Sequence, residues 1–71
     1  GVTMLAPEAT VLDDDVVLAR DVVLEPFVVL RAGTRVGEGA RIGAGAVLDA
    51  CTVAPGARVA PNTTARDARF D

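Results

Sequence analysis

The 71-residue sequence contains no histidine, lysine, tryptophan or tyrosine, and it has only one cysteine and two phenylalanines. The single thiol, Cys51, excludes an intramolecular disulfide and a multi-cysteine metal site, and it fits a reducing compartment. The apolar runs are far shorter than the roughly 20 residues that span a bilayer. The N-terminus also lacks the basic segment and following apolar segment of a secretory signal peptide. We therefore expect a cytoplasmic chain with no membrane partner.

Positive charge is also scarce. Ten acidic residues outnumber seven arginines, which gives a formal net charge of −3 and leaves no basic surface for a phosphate backbone. We therefore expect no nucleic-acid partner. A chain of this length has one core at most, and with aromatic residues at 3% that core must consist of Val, Leu, Ala and Thr.

A six-residue repeat runs through the chain. Large aliphatic residues recur at every sixth position, and the step shortens to five before Val53 and again before Phe70. This column comprises Leu12, Leu18, Leu24, Leu30, Val36, Ile42, Leu48, Val53, Val59, Ala65 and Phe70. Two residues earlier stand small or β-branched residues, namely Thr10, Val16, Val22, Val28, Thr34, Ala40, Ala46, Cys51, Ala57, Thr63 and Ala68. Side chains two apart on a strand share a face, so each pair is expected to point inward.

A third column marks sharp corners. It lies three residues after the large aliphatic and consists of Asp15, Asp21, Phe27, Gly33, Gly39, Gly45, Gly56 and Asn62. All except Phe27 are Gly, Asn or Asp, the residues that tolerate a positive φ. Strands this short cannot bury a face alone and must stack on their own previous turns. The pattern predicts an all-β solenoid, because a helix would need apolar spacings of three and four and a coiled coil would need heptads.

The repeat unit resembles the hexapeptide of left-handed parallel β-helices. Good copies are Leu30–Arg35, Val36–Arg41 and Ile42–Val47, each with a large aliphatic first and a small residue fifth. The resemblance implies that three hexads close each triangular coil in a left-handed sense, which gives about four coils here. We expect one domain, 1–71, made of a lead-in segment, 1–9, and stacked coils, 10–71.

The opening of the chain narrows the resemblance. Three features are similar to the first β-helical coils of one family, the bifunctional N-acetylglucosamine-1-phosphate uridyltransferase/glucosamine-1-phosphate acetyltransferases. They are the segments Gly1–Glu8 and Arg20–Pro26 and the positions of the shortened steps. The resemblance implies a part in making UDP-N-acetylglucosamine for bacterial cell envelopes, with acetyl-CoA and magnesium as the family's cofactors and side-by-side trimers as its assembly.

Both active sites of that family lie outside these residues. Its Gly-rich nucleotide loop would precede Gly1, and the Arg-rich loop, Lys, His, Tyr and Asn of its acetyltransferase site would follow Asp71. The resemblance therefore implies a β-helix scaffold segment with no catalytic, cofactor-binding or metal-binding residue of its own. The alternative is a stand-alone or engineered structural solenoid that associates with itself. In either case we expect no catalysis by the isolated residues.

Two segments could suggest an ion site. Val29–Gly33 resembles the Arg-Leu-Arg-Pro-Gly phosphate loop of that acetyltransferase, but no partner Lys is available to converge with Arg31 on an anion, so we expect an outward, solvated side chain. Asp13–Asp15 lacks the glycine and the ligand spacing of a calcium loop, and we interpret it as a corner in which Asp15 takes the strained position.

Three further features are also interpreted structurally. Asp49 and Glu25 fall on different hexads of different coils with no pocket nearby in the pattern, which argues against a paired-carboxylate site. Cys51 occupies a small inward position and is expected to be a buried, unreactive thiol, since no histidine is available to activate it. Gly37–Gly39 lacks the third glycine and the strand-to-helix setting of a dinucleotide site, so it is interpreted as a corner.

The outward positions suggest a partner. With three hexads per coil, one wall should carry an apolar column of Val11, Val29, Val47 and Thr64 beside Asp13, Arg31, Asp49 and Arg66, whose charges alternate. The other walls carry the more polar sets Val17, Arg35, Thr52, Arg69 and Val23, Arg41, Arg58. We expect a homo-trimer through the wall of Val11, Val29 and Val47, with end-to-end stacking through open strand edges as the competing mode.

Overall fold

The computed structural model describes residues 1–71 and contains twelve β-strands of two or three residues, with one 3-10 turn at Pro7–Ala9. The strands are this short because a corner interrupts the chain soon after each inward pair. In chain order they are β1 (Thr3–Met4), β2 (Val11–Leu12), β3 (Val17–Leu18), β4 (Val23–Leu24), β5 (Val29–Arg31), β6 (Arg35–Val36), β7 (Arg41–Ile42), β8 (Val47–Asp49), β9 (Thr52–Val53), β10 (Arg58–Val59), β11 (Thr64–Arg66) and β12 (Arg69–Phe70).

The strands form three parallel sheets, which are the walls of the solenoid. Sheet 1 has the order β1-β4-β7-β10, sheet 2 the order β2-β5-β8-β11, and sheet 3 the order β3-β6-β9-β12. Each strand pairs with the strand three places later in the chain, so three strands make one coil. In sheet 2 Leu12 pairs with Leu30 and Leu30 pairs with Leu48, as the repeat predicts. The predicted fold class, an all-β left-handed parallel β-helix of about four triangular coils, is confirmed.

The interior holds the two inward columns. Leu24, Leu30, Ile42 and Leu48 have no exposed surface, and burying each such side chain contributes about 1.5–3 kcal/mol relative to leaving it exposed. The equivalent residues of the first and last coils are only partly buried, because within residues 1–71 another coil packs against one side of them only. They are Val2, Met4, Leu12, Val16 and Leu18 at one end and Ala65, Ala68 and Phe70 at the other. A helix with the length and hydropathy of a membrane span is absent.

Left-handed backbone appears at the corners. Gly39 and Gly45 have φ of +74° and +75°, as the corner column predicts, and Phe27 adopts the same conformation at +65°. A bulky side chain rarely tolerates this φ, so Phe27 is placed there by the stacked corners around it rather than by its own preference. Ala50 and Asp67 also have positive φ, +52° and +53°. Ala32, the equivalent residue one coil earlier, has φ of +56° within a full six-residue step, so this conformation belongs to the corner after sheet 2 and not to the shortened steps.

Asp15 does not take the strained conformation that we expected of it. It is absent from the residues with positive φ, and the corner closes instead through a hydrogen bond of 3.2 Å from the Val16 N–H to the carbonyl oxygen of Asp13. A β-turn of type I makes this bond with negative φ at both central residues. The three aspartates therefore turn the chain without left-handed backbone.

Two glycines are required for a different reason. Neither Gly37 nor Gly43 has a positive φ, but a Cβ on Gly43 would lie 2.5 Å from the backbone nitrogen of Pro61, and a Cβ on Gly37 would lie 2.5 Å from that of Pro55. These distances are shorter than side chains accept. Glycine directly after the large aliphatic thus lets the next coil pass close above it.

The first shortened corner depends on Thr34, a threonine with no exposed surface. Its hydroxyl lies 2.8 Å from the carbonyl oxygen of Arg31 and 3.1 Å from that of Leu48, and it accepts a hydrogen bond of 3.2 Å from the Cys51 N–H. A buried N–H without a partner costs about 1–3 kcal/mol. The Thr34 side chain therefore compensates for the residue missing between Leu48 and Val53.

The register of strand β9 can be tested with the same substitution at neighbouring positions. Val53→Asp would bury an unpaired carboxylate inside the solenoid and should destabilise the fold by more than about 3 kcal/mol. Thr52→Asp places that carboxylate on the exposed outer face and should change stability by about 0.5 kcal/mol or less. Thermal melts of the two variants measure the difference, and equal melting temperatures would contradict the inward register.

Candidate functional site

Sheet 2 carries the largest apolar column on the outside of the solenoid. Val11 pairs with Val29, and Val29 pairs with Val47, which in turn pairs with Thr64. Val11 is 54% exposed, while Val29 and Val47 are half-buried. We call Val11, Val29 and Val47 the valine wall. The predicted stacking of these outward residues is confirmed.

Alternating charges run beside the valine wall. Arg31 pairs in register with Asp49, and Asp49 pairs with Arg66 one coil further on. The Arg31 guanidinium donates from Nε to Asp49 Oδ1 at 2.7 Å and from Nη2 to Oδ2 at 3.1 Å. This two-point contact is the geometry that suits Arg and carboxylate best. Arg31 is outward and half-exposed, as predicted, but its charge is held by Asp49 instead of lying free in solvent.

The contact also shifts the acidity of Asp49. The hydrogen bonds from Arg31 lower the pKa of its carboxyl below the ordinary 3.8, and the charges of Arg31 and Arg66 act in the same direction. The same pairing raises the pKa of Arg31. Asp49 is therefore held as a carboxylate, whereas a general acid would need a raised pKa.

Glu25 makes the equivalent contact on sheet 1. Its Oε2 accepts a hydrogen bond of 2.6 Å from Arg41 Nε, and its Oε1 accepts one of 3.1 Å from the Ala44 N–H. Both bonds lower the pKa of Glu25. The Glu25 carboxylate thus connects the end of β4 to the next coil and stabilises the stacking of the two coils.

Both carboxylates line shallow grooves, so the expectation that no pocket lies near them is wrong. Glu25 and Arg41 border a groove of about 290 Å³ beneath Pro61. Asp49 borders a second groove of about 480 Å³ with Arg31 and Arg66. The two carboxylates nevertheless lie on different sheets and face different grooves, so they do not act as a pair.

The three consecutive aspartates are not drawn together. Asp13 Oδ2 accepts a hydrogen bond of 3.3 Å from the Ala32 N–H of the next coil, and Asp15 Oδ2 lies against Gly33. Nowhere in the chain do three or more acidic, cysteine or histidine side chains converge as metal ligands would. The segment serves as the first corner beneath the charged column.

Cys51 and the glycine corner occupy the positions predicted for them. Cys51 is 1% exposed, and its Sγ lies 3.3 Å from the carbonyl oxygen of Asp49. Gly37 packs beneath Pro55, while Glu38 forms an ion pair of 3.3 Å with Arg20 of the preceding coil. Neither segment presents a nucleophile or a phosphate-binding loop.

Sequence reasoning missed one surface feature. Phe27 is 67% exposed and Leu5 is 54% exposed, and Phe27 lies at the corner that leads into the valine wall. The break in the corner column at Phe27 was the available signal, because an aromatic residue replaced a glycine-type one there. The apolar surface around sheet 2 is therefore wider than the three valines alone.

The comparison with protein families finds one match. Residues 15–50 match the family described as bacterial transferase hexapeptide (six repeats). These residues include the strands from β3 to β8 and most of the buried core. The chain belongs to the bacterial transferase hexapeptide family. No curated protein matches the sequence. Family membership accounts for the repeat, the corner glycines and the parallel walls, and it leaves the outward residues as the features particular to this chain.

The pairing of Arg31 with Asp49 predicts a pH-dependent contribution to stability. Because the folded pKa of Asp49 is lowered, its contribution is complete above the ordinary value of 3.8 and is lost as the pH falls through the folded pKa. Arg31→Ala should therefore lower the melting temperature at neutral pH, and the gap from wild type should narrow in acid. Arg35→Ala, which removes an outward arginine without an ion pair, is the control. A gap for Arg31→Ala that stays constant down to strong acid would contradict the assignment.

Proposed function

We propose that the chain is a β-helix scaffold segment of a sugar-nucleotide enzyme similar to the bifunctional uridyltransferase/acetyltransferases, and that it supplies assembly contacts rather than chemistry. The valine wall carries the proposal, because an apolar column bordered by a charged one is the composition of an interface, with an apolar centre and a polar rim. In this proposal acetyl-CoA and magnesium bind outside these 71 residues, and the parent protein works in the cytoplasm on envelope precursors.

The charged residues support a scaffold role. Asp49 and Glu25, the carboxylates in the two grooves, are both engaged by arginines of a neighbouring coil at 2.7 and 2.6 Å. Acetyl transfer to an amine needs a base poised near neutral pH and donors for the developing oxyanion. A carboxylate with a lowered pKa suits neither task. The arginines that hold them are likewise occupied.

The proposed assembly is a homo-trimer in which three copies pack side by side through the valine wall. A closed three-fold arrangement buries the same wall on every copy and leaves no apolar column exposed. The charged column of Asp13, Arg31, Asp49 and Arg66 would then lie at the rim, where it excludes wrong registers by like-charge contact.

A second candidate is a structural solenoid that associates with itself and has no enzymatic parent. The valine wall would serve this candidate equally well as its self-association surface. The genomic reading frame around these residues distinguishes the two candidates. Gly-rich nucleotide-binding sequence upstream, with His, Lys and Tyr downstream, supports the enzyme, and stop signals at both ends support the structural protein.

The scaffold proposal predicts that the pure chain does not transfer acetyl groups. Mixed with acetyl-CoA and glucosamine-1-phosphate, it should release no more CoA than a buffer blank, because the chain has no His, Lys or Tyr and arginines hold both groove carboxylates. A thiol-detecting assay measures the release. Turnover that persists through repurification would refute the scaffold role.

The trimer proposal predicts that Val29→Arg disrupts assembly. A guanidinium in the centre of the valine wall would be buried without a partner at each interface, so sedimentation equilibrium should show monomers where the wild type is trimeric. Val17→Arg is the matched control, because Val17 is 52% exposed on sheet 3 and should leave the trimer intact. A wild type that is monomeric from micromolar to millimolar concentration removes the proposal, and an unchanged trimer in Val29→Arg moves the interface to another wall.

A further inference from the structure

We propose that Phe27 of each copy packs into the groove beside Arg31 of the neighbouring copy, so that a second copy of the same chain completes this groove. The inference rests on the lateral trimer of the proposed function and names the contact at the edge of the valine wall. Three observations carry it: an exposed aromatic ring on strained backbone, an open groove lined by two alanines, and the positions of ring and groove at opposite edges of sheet 2.

Phe27 presents its ring to solvent from an inner coil. It is 67% exposed, and the residue that corresponds to it in the next coil is Gly45, which has no side chain to cover the ring. The strand that follows Phe27, β5, has a paired strand on each side. The exposure of the ring is therefore set by its own neighbours within the solenoid.

The backbone at this corner disfavours an aromatic residue. Phe27 has φ of +65°, and the corresponding Gly45 has φ of +75°. Glycine adopts this conformation freely, whereas a bulky residue there is an outlier. Residues held in such conformations cluster where a protein clamps a ligand or makes another functional contact. Because the ring packs little against its own chain, its strained position points to a contact with another molecule.

The groove beside Arg31 suits an aromatic ring. Its volume is about 480 Å³, and Ala32 and Ala50, which are exposed and stack in successive inner coils, contribute only methyl groups to its lining. Arg31 borders it with a guanidinium that Asp49 holds through two hydrogen bonds. Guanidinium groups pack on aromatic faces, and one that is already held loses little freedom when a ring packs on it.

The ring cannot fill the groove of its own chain. Phe27 precedes β5 and Ala32 follows it, so the two residues lie roughly 16 Å apart along the extended strand. This separation is several times the reach of a phenylalanine side chain. Within one copy the ring and the groove therefore remain at opposite edges of sheet 2.

Three-fold symmetry brings the two edges together. If three copies present sheet 2 to a common axis parallel to the solenoids, the edge at which β5 begins in one copy meets the edge at which β5 ends in the next. Rotation about this axis leaves each coil at its own height. Because Phe27 and Ala32 belong to the same coil, the ring of one copy faces the groove of its neighbour. The contact occurs three times and borders the apolar centre formed by the valine wall.

The first test removes the ring while relieving the backbone. Phe27→Gly should raise the concentration at which half of the chains are trimeric by about tenfold or more in sedimentation equilibrium. Melted at a concentration too low for assembly, the variant should unfold close to the wild type, because glycine suits the φ of +65°.

The matched control is Asp21→Gly. Asp21 also has a positive φ, +60°, but it lies at the corner between β3 and β4, which does not border sheet 2. The control should assemble as the wild type does. Phe27→Gly that assembles as well as Asp21→Gly would overturn the proposal.

The second test detects the contact between the two edges. A chain carrying both Phe27→Cys and Ala32→Cys is treated with a thiol crosslinker much shorter than the wall is wide, and denaturing electrophoresis should show covalent dimers and trimers. Each single variant should remain at the mass of one chain, because its new thiols lie at separate corners of the trimer. Cys51 is buried, and the wild type gives the background of the reaction.

The outcomes separate this contact from the trimer itself. A wild type that is monomeric at every concentration removes the lateral trimer and this contact with it. If the wild type is a trimer that Val29→Arg disrupts, but the double cysteine variant gives no covalent dimers, the trimer of the proposed function stands and the packing of Phe27 into the groove is overturned.

Discussion

The vertical spacing between coils is the constraint on which the rest of the structure depends. A strand of two or three residues has too few hydrogen bonds and too little buried area to exist alone, so every strand here is held by the strands directly above and below it. That spacing, about 4.8 Å between parallel strands, determines which side chains meet. It explains why Gly43 lies beneath Pro61, where any Cβ would push the coils apart.

The same spacing organises the charges. The ion pairs Arg20–Glu38, Arg31–Asp49 and Glu25–Arg41 each connect neighbouring coils. In two of these pairs the carboxylate accepts hydrogen bonds from the arginine, which lower the pKa of Glu25 and of Asp49 and keep both groups ionised. Acid–base catalysis at neutral pH needs a group whose pKa lies near neutrality, so that it can both accept and release a proton. In this chain the outward charges therefore strengthen stacking and specify register, even where a groove lies beside them.

Sequence periodicity predicted the walls because each residue's environment repeats. The inward columns, the apolar column of sheet 2, the burial of Cys51 and the polar corner of Gly37–Gly39 all follow from counting in sixes. The local exceptions did not follow. The hydroxyl of Thr34 beside the Cys51 N–H depends on a residue that is missing. The positive φ of Ala32 and Ala50, and the absence of one at Asp15, depart from the corner column. The grooves beside Glu25 and Asp49 are lined by side chains of successive coils, and their shape depends on side-chain conformations that periodicity does not describe.

The repeat also determines which positions of the solenoid are free to carry a function. Inward positions are constrained by packing and corner positions by φ, so only the outward residues between them are free to vary. In this chain the outward residues differ among the three parallel sheets. Sheet 3 replaces valine with arginine or threonine after the first coil, and sheet 1 has an outward valine only at Val23, between Thr3 and Arg41, whereas sheet 2 keeps valine through three coils. Valine suits a strand wherever it occurs, but only on sheet 2 do outward valines stack into a continuous column. In the proposed trimer, these three successive outward valines are the surface that the neighbouring copies would cover.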